Sequence, residues 1–153
     1  MNEISIIPYD SRYQADFKRL NVDWISRDFA LEEHDLEQLD HPETYILPNN
    51  GAVFLAKLNN EIVGTVALVN TGEAGFELAK MSVSPSAQGQ GIGTLLCLAV
   101  LDYARQLGLT SVWLESNRRA KTALRLYERV GFREVPMVPS PYARADIRME
   151  IQL

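Results

Sequence analysis

The residues best suited to chemistry in this chain are the glycines and amides of Gln88-Gly89-Gln90-Gly91-Ile92-Gly93-Thr94. They lie between a β-type stretch, Phe76 to Val83, and a strongly amphipathic helical pattern that opens at Gly91. Backbone N–H groups at a helix N-terminus have no intrahelical partner and carry the positive end of the helix dipole, so such a loop suits a pyrophosphate. Glycine lets the backbone approach the anion where a Cβ would block it. Two other anion loops fail on local residues. A P-loop ends in Gly-Lys-Ser/Thr, and Gly93-Thr94 lacks the lysine. A dinucleotide fingerprint needs a glycine where Thr94 stands, and the hairpins upstream do not make a βαβ unit.

The elements that must position this loop are legible from periodicity. Ile4 to Ile7 reads as a strand ended by Pro8, and Asp10-Ser11 can cap a helix running to about Phe29. Glu32 to Asn50, acidic and broken by Pro42 and Pro48, reads as a short helix plus loop outside the framework. Val53 to Leu58 and Glu61 to Val69 form a hairpin about Asn59-Asn60, a pair that tolerates positive φ. Thr71 to Gly75 turns the chain into the strand Phe76 to Val83, which Pro85 ends. A helix follows from Gly91 to Leu107, then a strand at Ser111 to Leu114 and a helix from about Arg119 to Val130 stopped by Gly131. Ala143 to Leu153 alternates apolar and polar throughout, the pattern of a half-buried antiparallel strand. The expectation is an α+β fold, a mostly antiparallel sheet of about six to seven strands flanked by helices.

The totals narrow the function classes. With 153 residues, 46% hydrophobic, the chain suits one domain over residues 1–153. A net charge of -5 would repel a nucleic acid backbone, so no nucleic-acid partner is expected. Neither a signal-like N-terminus nor a long apolar run calls for a membrane. The one cysteine, Cys97, sits among leucines and fits a thiol packed in a reducing, cytoplasmic protein. His34 and His41 have no ligand spacing, so no metal is expected and both read as solvated.

Gln88, Gly91 and Gly93 meet the Gln/Arg-x-x-Gly-x-Gly/Ala pattern of the GNAT acetyltransferases. Met81-Ser82-Val83-Ser84-Pro85 upstream and Ala123-Leu124-Arg125-Leu126-Tyr127-Glu128-Arg129-Val130-Gly131-Phe132 downstream extend the likeness, so residues 53–135 resemble that superfamily in combination. The resemblance implies acetyl-CoA as donor, held at Met81, Ser82, Val83 and the 88–94 loop, in a wedge where the fourth strand splays from the fifth. It also implies Tyr127 beside the departing sulfur and Glu77 beside the acceptor amine. Asn117 stands ten residues before Tyr127, whereas the family asparagine stands seven before, where this chain has Ala120. Asn117 is therefore read either as a cofactor hydrogen-bonder or as a helix cap.

Acetyl transfer from a thioester to an amine needs a neutral nucleophile, a stabilised oxyanion and a protonated leaving thiolate. Glu77 can accept the amine's proton through water, Met81 N–H can face the oxyanion and Tyr127 can supply the last proton. Against these stand a packed Tyr127 and a solvated Glu77. The function expected is N-acetylation of a primary amine, on a small molecule or a protein, by direct attack without a covalent enzyme intermediate, the protein acting as monomer or homodimer. A non-catalytic acyl-CoA sensor is the alternative. The helix to Phe29, the acidic segment Glu32 to Tyr45 and the Pro136 to Arg144 loop are expected to wall the acceptor site, their acids favouring a cationic amine.

Overall fold

Alternating burial and tight turns bring seven strands of the chain into one sheet. The structure, a computed structural model, describes residues 3–153, so the first two residues of the expected 1–153 unit lie outside it. The strands are β1 (Ile4–Pro8), β2 (Ala52–Leu58), β3 (Glu61–Asn70), β4 (Phe76–Val83), β5 (Ser111–Ser116), β6 (Arg133–Val135) and β7 (Ile147–Gln152). The helices are α1 (Gln14–Asp28), α2 (Glu33–Asp40), α3 (Pro42–Tyr45), α4 (Ile92–Gln106) and α5 (Lys121–Val130). The sheet order is β1-β2-β3-β4-β5-β7-β6. Every neighbouring pair is antiparallel except β4 and β5, which run parallel and meet at one register, Glu77 opposite Trp113. Beyond that pair no further β4–β5 register forms among the described residues.

The pleat sorts the apolar side chains onto two faces. Val53 and Leu55 of β2 pack with Phe17 and Leu20 of α1, while Ala56 and Val66 pack with Ile92, Leu96 and Val100 of α4. β3 is buried from Ile62 to Val69 because helices cover it on both sides. Its Gly64 makes the close approach of α4 possible: a Cβ there would stand 3.0 Å from Leu96 Cδ1 and 3.2 Å from Ile92 Cγ2. Asn59 and Asn60 carry the hairpin turn at φ 50° and 69°, as their types suggest.

Three expectations require correction. The segment Glu32 to Asn50 holds two helices, and Leu39 and Ile46 within it are fully buried, so it belongs to the framework; Pro42 starts α3 at its first position, where a missing N–H costs nothing. The long alternation before Leu153 becomes a strand only at Ile147. Asp146 N–H still bonds Ser116 O, but Ala143 and Arg144 turn away with the preceding loop. Asp10 caps a short 3-10 turn, Ser11–Tyr13, through Arg12 N–H before α1 begins.

Candidate active site

Two cavities share a wall at the place where β4 leaves β5. The first is a groove of about 490 Å³ bordered by Met81, Val83, Gln88, Gly91, Gly93 and Thr94 together with the start of α5. The second, about 160 Å³, lies deeper and takes its polar walls from Glu77, Lys80, Glu115, Asn117, Tyr142 and Arg144. Trp24, Met81, Ala120, Ala123 and Tyr127 border both.

The loop of the groove fits an anion for local reasons. Gly89 and Gly91 hold φ 82° and 77°, and a Cβ built on either meets no protein atom within 4 Å, so their backbone faces open space. Gly91 starts α4 without any side-chain cap, which leaves the first-turn N–H groups available to a pyrophosphate. Gly93 has a packing reason instead, since a Cβ there would reach within 2.8 Å of Leu126 Cδ1 on α5.

Among the other groove residues, Gln88 Nε2 donates to Val83 O at 3.2 Å and braces the loop against β4. Ser82 borders the groove while its hydroxyl turns away to donate to Leu20 O. Ile92 borders the groove from the core, and Gln90 is exposed outside its wall. Asn117 lies in the deeper cavity rather than the groove. Its amide nitrogen donates to Arg144 O at 2.7 Å and its oxygen accepts from Arg119 N–H, so it pins the 136–146 loop. α5 begins at Lys121, and its N-cap position is Ala120, with no side-chain cap.

β4 is distorted where the cavities meet. Its pairing with β3 slips between Thr65 and Ala67, and Lys80 takes φ 54°, a left-handed backbone that costs a side-chain-bearing residue on the order of 1–3 kcal/mol. Buried hydrogen bonds hold the bulge. Thr65 Oγ1 donates to Lys80 O at 2.8 Å and accepts from Asn21 Nδ2, which also donates to Phe17 O. The Lys80 side chain then turns into the wall of the deeper cavity.

There it meets a charged cluster that the sequence did not disclose. Asp35 of α2 is fully buried and receives Lys80 Nζ at 2.7 Å and both Nη atoms of Arg144 at 2.7 and 2.8 Å. Lys80 Nζ also donates to Tyr142 Oη, and Tyr142 Oη to Gln38 Oε1. Burial alone would raise the Asp35 carboxyl, but the Arg144 hydrogen bonds and the Lys80 charge hold it down at about 2. Burial lowers Lys80, with Asp35 opposing. The Asp35 carboxylate is therefore neutralised within the protein. His34 packs its ring 5.2 Å from that of Tyr142. A lysine interrupting an apolar strand was the one visible signal, since Asp35 and Arg144 stand 45 and 64 positions away in sequence.

Glu77 is buried, with no hydrogen bond to its carboxyl among the described residues, and burial pushes its pKa up to about 7; Lys80 opposes the shift and Glu115 adds to it. This excludes the solvated alternative. Tyr127 packs edge-on against Phe132, with ring centroids 5.9 Å apart, and also borders both cavities; burial pushes its phenol above the ordinary range. Cys97 is fully buried and its thiol is pushed up to about 12 by burial, which disfavours the thiolate. Among the described residues there is no group of acids, histidines and cysteines that could hold a metal, and no helix long and apolar enough to cross a membrane.

This fold, with a glycine loop opening a helix beside splayed parallel strands, is that of the acetyltransferases just resembled in sequence. Residues 18–132 match the family model of the acetyltransferase (GNAT) family, and the chain belongs to that family. It is 36% identical over 108 residues to "Probable N-acetyltransferase camello" of Xenopus tropicalis, an alignment covering 68% of this chain and 49% of that protein. The chain thus spans about half the length of that curated relative. Among solved structures, a GNAT-family acetyltransferase from Staphylococcus aureus Mu50 superposes with a TM-score of 0.89 at 22% identity, covering 98% of this chain and 99% of its own. The structure of yncA from Salmonella typhimurium with its cofactor acetyl-CoA superposes at 0.73 and 18% identity, over 98% and 94% of the two chains. At such identities these two likenesses concern the fold.

Proposed function

We propose that the chain is an acetyl-CoA-dependent N-acetyltransferase that acetylates a primary amine by direct attack. The observation that carries this is the shared wall: Tyr127 and Met81 stand between a groove ending in an uncapped helix N-terminus and a cavity holding a buried, unpartnered carboxyl. The donor supplies an acetyl thioester. Gly89, Gly91 and the first turn of α4 would hold its pyrophosphate, and the open edge of β4 beyond Glu77 would hold its amide-bearing arm by strand-like pairing.

Glu77, half ionised near neutrality, can take a proton from the acceptor ammonium or amine, directly or through water. The bulge at Lys80 reorients the peptide that follows, which supports Met81 N–H as the donor toward the carbonyl oxygen where negative charge develops. Tyr127, protonated throughout the neutral range, can give a proton to the sulfur. The buried, free Cys97 favours action in a reducing cytoplasm.

The test is thiol release from acetyl-CoA against a broad panel of amines, with calorimetric titration of acetyl-CoA alongside. Amine-dependent release supports the reading. Binding without release from any amine would instead make the chain an acyl-CoA sensor.

A further inference from the structure

Arg144 has five N–H donors, and its protein partners use three of them. Nη1 and Nη2 each donate once to Asp35, and Nη1 donates again to Glu32 Oε2 at 3.4 Å. The two donors left, Nε–H and the second N–H of Nη2, lie side by side on one edge of the guanidinium, a spacing that matches the two oxygens of a carboxylate. Among the described residues no protein acceptor meets that edge, although the side chain is only 14% exposed and borders the deeper cavity. The group is also held flat before anything binds. Its Cζ lies 4.4 Å from the Tyr142 ring centroid and 5.9 Å from that of Trp24. A planar cation fixed by aromatic faces and a buried carboxylate, bordering a cavity with two donors unused by the described residues, is preorganised for an anion.

The rest of the cavity sets the opposite requirement. Glu77 and Glu115 line it, and Glu77 is the group beside which an amine must lose a proton. Lys80, with one of its three N–H donors left after Asp35 and Tyr142, adds positive charge to the wall that Arg144 occupies. The volume, about 160 Å³, is close to that of a cavity of ~150 Å³ that encloses benzene, so it suits a compact molecule.

We propose that the acceptor is a small amine that also bears an acidic group, an α-amino acid or a close analogue, and that the open fork of Arg144 reads the acid. This rests on the acetyl-transfer reading above and deepens it. The amine meets the carboxylate end of the cavity and the acid meets the cationic end, which fixes the nitrogen relative to Glu77.

The experiment compares L-amino acids with the amines formed by removing their carboxyl, such as leucine with 3-methylbutylamine and methionine with 3-methylthiopropylamine. Thiol release gives kcat/KM, and calorimetry gives the affinity of the corresponding N-acetyl products for the protein with CoA. The acids should exceed their decarboxylated partners by at least about tenfold in kcat/KM, a modest value for a site that hydrogen-bonds a substrate group. Arg144→Gln should collapse that ratio toward one, chiefly through KM. Arg144→Lys, which keeps the charge and loses the fork, should fall between them, and calorimetry with acetyl-CoA shows that each variant is folded. Turnover of amines with no preference for the acids would overturn the proposal and leave acetyl transfer standing, and this comparison needs only the wild-type protein. A preference that survives Arg144→Gln would overturn the assignment to Arg144. Failure of every amine to release thiol would overturn both.

Discussion

Glu77 of β4 stands opposite Trp113 of β5 at the register where these parallel strands pair. The carboxyl therefore sits at the root of the wedge, below the point where the strands part. Beside it Trp113 Nε1 is buried with no hydrogen-bond partner among the described residues, and Arg148, over that ring at 4.0 Å, opposes the effect of burial only in part. A carboxyl in such a place holds its proton to higher pH because water cannot solvate the charge.

The first prediction follows from that position. kcat/KM for a competent amine should rise through about pH 7 as Glu77 ionises, and Glu77→Gln should remove this limb and lower the rate by ~10²–10⁴. Stability should move the other way. The folded-state pKa of about 7 lies above the ordinary 4.5, so the stability linked to the bound proton is fully present below about 4.5 and is lost as pH rises through 7. Relative to wild type, the glutamine variant should gain on the order of 3 kcal/mol between pH 4 and pH 8, read from urea midpoints. A pH-independent difference would mean that Glu77 does not titrate there.

Tyr127→Phe separates packing from proton donation, because it keeps the ring against Phe132 and removes only the hydroxyl. Acetyl-CoA affinity should be spared and kcat should fall at least about tenfold. Since burial raises the phenol above the ordinary range, wild-type kcat should show no decline near pH 10 from this residue, contrary to what an unperturbed tyrosine would give. Equal rates for the two proteins at neutral pH would return Tyr127 to the core.

Gly91→Val should abolish acetyl-CoA binding measured by calorimetry while the chain still folds. A side chain at φ 77° is strained, but it strikes no protein atom, so the damage falls on the approach to the loop backbone. Unchanged affinity would place the donor elsewhere.

Asp35→Asn leaves Lys80 and Arg144 buried without their shared carboxylate. The cost should be on the order of 3–5 kcal/mol at pH 7, measured as a drop in the urea midpoint. In the wild-type protein the contribution of this group is present above its ordinary value of 3.8 and disappears as pH falls from there through about 2. A variant as stable as wild type at neutral pH would show that the cluster contributes nothing net.

Most of the sheet was legible because its signals are local. Asn59-Asn60 announces its own turn, and the glycine loop is read directly beside the strand and helix it joins. The register of Ala143 to Asp146 was not legible, because alternation persists through a loop whose pinning bond comes from Asn117. The role of Glu32 to Asn50 was hidden for a related reason. An acidic, proline-broken stretch reads as surface until its partners are known, and those of Asp35 come from β4 and from the loop before β7. Glu77 and Tyr127 stand out in the sequence only through the family likeness, and their burial, and hence their ionisation, depends on contacts distant in sequence.

The Asp35 cluster also bears on the order in which the protein assembles. One carboxylate gathers groups 45 and 109 residues away along the chain, so forming it requires closure of two long loops whose entropy is offset only after the sheet between them exists. The wall of the deeper cavity is therefore expected to form late in folding. Partly folded chains that already display the local glycine loop and α4 would lack the second cavity, and amides around Lys80 and Arg144 should exchange with solvent through smaller openings than those of β3.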